Sequence, residues 1–407
     1  MARAQWTDDF LTHQRQIGDP KGDEVIRTIF ARQDIRALDG FMAELVANDE
    51  TPPRLPPEIQ AFLEDTSVLP PWADLERIRA AARLFNIYGL VSLASLVCAS
   101  LPECYTMRIG VRILDLTNQL GAHTNRRLHQ TAAMVLAVMG PHGFEPDGRG
   151  IRQTQKVRLI HAAIRYRILS ALGAEGVPAA PAAEVPVLIP GAVRSVNDVI
   201  ASRKFDWQIA RDGWPINQED MAFTLLTFGH VIPLAMRRFG VKLTNDDYEA
   251  FLHSWNVSGY ILGLNEELMA HTLEDAEDLF ARIKARQAGR SAAGVRLTDS
   301  LLQVVENNLL RIRILRPLAP VLVRMLVGDQ TASMLGIDVR HTAPVRIFHR
   351  VVAGALRVLQ VVFSPMAQPF QPLAPLSAKL GERVVDHLCL MTDDGKPRQV
   401  EIPVGWR

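Results

Sequence analysis

The sequence has little cysteine and no surplus of charge. Three cysteines occur in 407 residues, Cys98, Cys104 and Cys389. An odd number at irregular spacing is not a disulfide framework. None lies in C-x-x-C-H, which excludes covalent c-type haem attachment. Lys and Arg number 45 against 44 Asp and Glu. That balance argues against a nucleic-acid binder, which would show a basic excess or stripe. The motifs that most often announce an enzyme are also missing: H-E-x-x-H, the P-loop, G-x-G-x-x-G and G-x-S-x-G. The opening "MARAQWTDDFLTHQRQ" lacks the apolar stretch of a secretory signal, so the expectation from sequence is a cytoplasmic protein.

Long apolar runs are nearly absent as well. One stretch of 19 residues between Arg83 and Glu103 carries no charge, "LFNIYGLVSLASLVCASLP". A bilayer crossing needs about 20 apolar residues. This run contains Asn86, Gly89, Ser92, Ser95 and Ser100 and ends at Pro102, so it reads as a buried core helix and no transmembrane span is expected.

What the chain does have is helical periodicity punctuated by proline and glycine. The first seventy residues are charged and proline-spaced, and "TPPRLPPEIQ" and "LPPW" bracket a short helix over Glu58–Asp65. A longer helix starts near Trp72–Ala73, with Pro71 and Asp74 suited to its first turn. Helices follow over Met107–Leu120 and Thr124–Met139, then a glycine-rich loop, "GPHGFEPDGRG". A proline-rich connector spans 174–190. Beyond it, Asn217 with Asp220 and Thr244 with Asp247 are capping pairs. Thr272–Gln287 is amphipathic. Leu301–Leu315 and Pro317–Val327 are helical, broken at Pro317 and Pro320. Asp394–Gly395 suggests a terminal hairpin. The chain reads as all-α, in three parts: an N-terminal helical extension (1–70), a core (71–290) and a C-terminal helical segment packed on it (291–407).

"KVRLIHAAIRYRI" (156–168) places Val157, Ile160, Ile164 and Ile168 at helical spacing, with His161 on the same face. A core histidine bonded to a nearby carbonyl is one reading. A single axial ligand to a haem iron is the other, since that site needs one helical imidazole, apolar walls and cations for the propionates. Ala162 and Ala163 would let a flat macrocycle approach. Arg158 and Arg165, read as lying on the other side of the helix, are either propionate partners or a solvated face.

"KVRLIHAAIR", together with "PINQEDMAFTLLTF" and "WNVSGYILGLNEELM", resembles the latex clearing protein family of rubber oxygenases and its wider group of oxygenase-like relatives. The similarity runs from about Trp72 to Gln287. The resemblance implies a globin-like helical core holding haem b, with His161 as proximal iron ligand. It also implies a distal arginine followed by lysine and threonine. "RRLHQT" supplies Arg127, 34 residues before His161, and Thr131, but the lysine position holds Gln130. An amide is a weak ligand with no titratable proton. The sixth iron site is therefore expected to be open, unless His129 takes it. The family's distal glutamate falls at Val111, with Asp115 the nearest acid, and its role does not transfer.

The resemblance implies a dioxygenase that uses O2 to cleave C=C bonds of cis-1,4-polyisoprene, giving oligomers with keto and aldehyde ends. The chain is expected to act as a monomer on an apolar polymer. Rubber cannot enter a cell, so an exported protein with its signal removed is one possibility. A smaller intracellular isoprenoid or lipid is the alternative substrate. A non-catalytic haem-based gas sensor is a third reading, weakened because the roughly 120 residues after Gln287 show no output domain. A structural protein without cofactor is the fourth. His230, before the kink expected at Pro233, reads as a core histidine. Glu249/His253 and Glu267/His271 read as surface i, i+4 pairs. The arginines of 310–326 read as a solvated helix face, and Cys98 and Cys104 as buried small apolar residues.

Overall fold

A computed structural model of the chain describes residues 6–31, 56–120, 124–146, 148–174, 205–306 and 318–337, with backbone alone for 117–120, 124–130 and 318. Most of the proline-rich connector, the 307–317 segment, the hairpin expected at Asp394–Gly395 and Cys389 lie outside these residues.

Among the described residues the protein is all-α, and no strand forms. An isolated bridge joins Met107 and Ala288. In chain order the helices are α1 (Asp8–Gln14), α2 (Pro20–Ala31), α3 (Pro57–Thr66), α4 (Leu75–Ile87), α5 (Gly89–Tyr105), α6 (Gly110–Leu120), α7 (Thr124–Val138) and α8 (Arg149–Ala171). They continue with α9 (Gln218–Leu226), α10 (Ile232–Arg238), α11 (Asn245–Leu262), α12 (Leu273–Gln287), α13 (Ala292–Val304), α14 (Leu318–Val327) and α15 (Asp329–Met334).

The caps follow from the side chains. Asp74 accepts from the N–H groups of Glu76 and Arg77 and starts α4. Asn217 caps α9 through the Asp220 N–H, and Thr244 forms a full capping box with Asp247 on α11. Each satisfies donors that a helix start leaves orphaned.

The uncharged run is not one straight helix. α4 and α5 meet at an angle of 94° beside Gly89, and no single helix among the described residues is long and apolar enough to cross a membrane. α5 is largely buried and carries a π-turn at Leu96–Ser100. A second π-turn, Thr227–Val231, separates α9 from α10 where the Pro233 kink was expected. The two π-turns pack together, and the Ser100 hydroxyl donates to Thr227 Oγ1 at 3.2 Å.

The N-terminal segment is drawn across the core by polar ties. Trp6 Nε1 donates to the Glu267 carbonyl at 2.7 Å. Arg15 donates to the fully buried Glu219 at 3.0 Å, and Arg286 donates to the other oxygen of that carboxylate at 2.9 Å. Burial, then the adjacent Asp220, pushes the Glu219 carboxyl above its usual range.

Candidate functional site around His161

Helix α8 runs through the centre of the molecule. It packs against α2, α7 and α11, and its residues touch three separate apolar clusters. Leu159, Ala162, Ala163 and Tyr166 pack on Ile26, Ile29 and Phe30 of α2 and on Ile59 and Phe62 of α3. Val157 packs on the main core, Ile160 on the α2–α3 cluster, and Ile164 on a third cluster with Ile113, Leu116, Phe205 and Trp207.

His161 stands where these three clusters meet. It is one turn after Val157, and Ile164 is one turn further on. Val157, Ile160, His161 and Ile164 are all only partly covered, although they are central to a helix whose other faces are buried. The Nδ1 atom of His161 is buried and has no hydrogen-bond partner among the described residues. Burial depresses the imidazole pKa to about 4, the Arg165 charge lowering it further and the Asp19 charge opposing. At neutral pH the ring is therefore uncharged, the form that binds metal ions. A neutral, unpartnered imidazole on an apolar, half-covered stripe fits an axial haem ligand. Ala162 and Ala163 are not part of that stripe. They are buried against α2 and α3, which corrects the expectation that they open space for a macrocycle.

The two arginines take different roles from those expected. Arg158 is neither on a solvated face nor placed for a propionate. Its Nε and Nη2 donate to the two oxygens of buried Asp19, each at 2.7 Å, and its Nη1 donates to the Ile261 carbonyl at 2.8 Å. Arg165, 1% exposed, pairs with Asp23 and donates to the carbonyls of Pro215 and Ile216, at 2.8 and 2.7 Å. Ile216 adopts a left-handed backbone (φ 54°), and its carbonyl is fixed there by that guanidinium. Both arginines join helices to each other. Asp19 and Asp23 were not legible as partners, because nothing local in "DPKGDE" points to residues far along the chain.

The other candidates resolve plainly. Arg127 and Gln130 lie on α7, which packs against α8, and their side chains fall outside the described residues, as does that of His129. Thr131 is on the same helix and half-buried. Val111 is fully buried on α6, and Asp115 accepts from exposed Arg296 at 2.6 Å, so this acid belongs to an α6–α13 tie. His230 is a core histidine bonded through Nδ1 to Tyr248 Oη. His253 is not a surface residue. It is buried, and its Nε2 accepts from the Asp74 N–H at 2.8 Å, while Glu249 faces Arg77. Glu267 lies in a 3₁₀ turn (Glu266–Leu268) and His271 beyond it, edge-on to Trp72, so they form no helical pair. Cys98 and Cys104 are buried, as expected, and the Cys104 Sγ lies 3.1 Å from Thr227 Oγ1. Among the described residues no group of three or more His, Cys, Asp or Glu could hold a metal ion.

The described residues are helical, with the partly covered imidazole of His161 beside three apolar clusters. Residues 90–358 match the family described as "ER-bound oxygenase mpaB/B'/Rubber oxygenase, catalytic domain". That is more than half the chain, and the chain belongs to this family. By class it is an enzyme, an O2-dependent oxidoreductase. The chain is 23% identical over 402 residues to the rubber oxygenase of Streptomyces sp. (strain K30), covering 95% of this chain and 86% of that protein. Its fold is similar to the solved structure of latex clearing protein LCP in the closed state. The TM-score is 0.69 at 21% identity, with 96% of this chain and 95% of that one covered.

Proposed function

We propose that the chain is a haem b-dependent dioxygenase that cleaves the C=C bonds of cis-1,4-polyisoprene to oligo-isoprenoids with keto and aldehyde ends. The observation that carries this reading is His161: neutral, buried at Nδ1 without a partner, and central to a half-covered apolar stripe of the family's catalytic region. Bound haem would supply the oxygen-activating chemistry.

The residues of this chain supply the rest. His161 holds the cofactor from α8 by one imidazole nitrogen. Val157, Ile160 and Ile164 give that side an apolar wall, which disfavours water around the imidazole. Arg127, carried on the neighbouring α7, stabilises negative charge that develops on oxygen, and the Thr131 hydroxyl donates to the same region. Gln130 donates or accepts hydrogen bonds but holds no proton to transfer. Arg158 and Arg165 are not propionate partners, because aspartates and carbonyls occupy them.

The test is an absorption spectrum of the purified protein, oxidised and reduced, with a pyridine haemochrome assay and oxygen uptake on polyisoprene latex. About one haem b per chain is expected, lost in His161→Ala, with keto and aldehyde products only in the wild type. Arg127→Ala should retain haem and lose most turnover. A protein that cleaves polyisoprene without haem would overturn the reading.

A further inference from the structure

We infer that Asp19 and Asp23 are positioning residues for His161, acting through Arg158 and Arg165. The inference rests on the reading of His161 as a haem ligand. Arg158 and Arg165 are three residues before and four after the histidine, so on a helix their side chains are its immediate neighbours. Each is gripped by an acid at the start of α2, Asp19 just before the helix and Asp23 in its first turn. Asp19 takes both prongs of Arg158, and its own N–H donates to Asp23 Oδ2 at 3.1 Å, which couples the two acids. Asp23 pairs with Arg165. The far sides of the guanidiniums are held by the carbonyls of Ile261, Pro215 and Ile216. Neither arginine can swing without breaking several bonds.

This matters because nothing is bonded to His161 Nδ1 among the described residues. Metal-ligating histidines ordinarily donate that second N–H to a carboxylate or carbonyl, which fixes the ring plane and its donor strength. Here those two jobs fall to the flanking pairs. The clamped arginines set the walls within which the ring sits. The aspartates cancel two positive charges that would otherwise weaken the imidazole as a donor. Removing either acid leaves an uncompensated guanidinium one helical turn from the ring.

The experiment uses the full chain with and without haem b, as wild type, Asp19→Asn, Asp23→Asn, Asp19→Glu and Glu103→Gln. Glu103 is a control: it is a buried carboxylate paired with Lys284 at 2.7 Å on helices that do not carry the histidine. In the haem-loaded protein the readouts are the iron–histidine stretching band, the reduction potential and the rate of haem loss to an acceptor globin. Without haem, the readout is the ring-carbon NMR signal of His161, identified by its absence in His161→Ala. Both Asp→Asn variants should raise the potential, shift or broaden the band, speed haem loss at least tenfold and split or broaden the ring signal. Asp19→Glu should restore part of each, and Glu103→Gln should lower the Tm and move none of them. If the Asp→Asn variants change only Tm, as the control does, the inference is overturned. If Asp19→Asn does not fold, the half-exposed Asp23 pair decides by the same readouts. A wild type that takes up no haem, yet whose ring signal responds to Asp23→Asn, would overturn the function and leave the positioning role standing.

Discussion

Asp19 holds Arg158 in a fork-to-fork pair, two hydrogen bonds of 2.7 Å between buried groups. Removing one partner of such a pair strands a charge away from water and costs about 3–5 kcal/mol, whereas replacing both by apolar residues of similar size is often close to neutral. Asp19→Ala should therefore lower the unfolding free energy in urea by about that amount. The double variant Asp19→Leu, Arg158→Met should lose far less. Equal losses in the single and double variants would show that packing, and not the charge, holds α2 in place.

Gly263 ends α11 with φ 88°, and a Cβ there would stand 2.8 Å from the Arg158 guanidinium. Gly263→Ala meets both a left-handed backbone and a crowded ion pair. A loss above about 1 kcal/mol is expected. It should shrink when Arg158 is shortened to alanine in the same chain, which a double-mutant cycle would measure.

Burial, then the Arg238 charge, lowers the pKa of His230 from 6.5 to about 4. Between these values the unfolded chain binds a proton that the folded one does not, so this residue makes stability rise with pH across that window. Its penalty is fully developed below pH 4 and absent above pH 6.5. His230→Gln should reduce proton uptake on unfolding by about one in that range, read from the slope of unfolding free energy against pH. An unchanged slope would mean that His230 titrates normally in the fold.

Gln130 occupies the position where the resembled family carries lysine. Gln130→Lys is expected to convert part of the haem-loaded protein to a six-coordinate, low-spin spectrum as pH rises and the amine loses its proton. Wild type should show no such transition. A pH-independent spectrum in the variant would place residue 130 out of reach of the iron.

Much of the helical order was legible because it is written locally. Asn217 with Asp220, and Thr244 with Asp247, state their helix starts within four residues. α13 shows the limit. It starts at Ala292, nine residues before the helix expected at Leu301, with Ser291 as its cap. Glycine at 289 and 294 weakens the helical signal of that stretch. Gly294 is there for close packing, since a Cβ would lie 2.4 Å from the Tyr105 carbonyl. The site was legible in part for the same reason. Periodicity puts His161 on the apolar stripe. It also makes Arg158 and Arg165, three residues before and four after, the neighbours of that histidine and not the opposite face. Their acids are 139 and 142 residues away in sequence, a relationship that no local pattern encodes.

The same separations govern how the chain assembles during synthesis. The first 26 described residues, 6–31, leave the ribosome with an apolar stripe and two acids whose partners do not yet exist. Asp19 waits 139 residues for Arg158, Arg15 waits 204 for Glu219, and Trp6 waits 261 for the Glu267 carbonyl. Contacts this distant close slowly. The N-terminal strap is therefore among the last pieces to dock in a newly made chain, long after the helices it binds have formed. Until it does, the apolar face of α8 that α2 covers is exposed, the kind of surface on which incompletely folded chains aggregate.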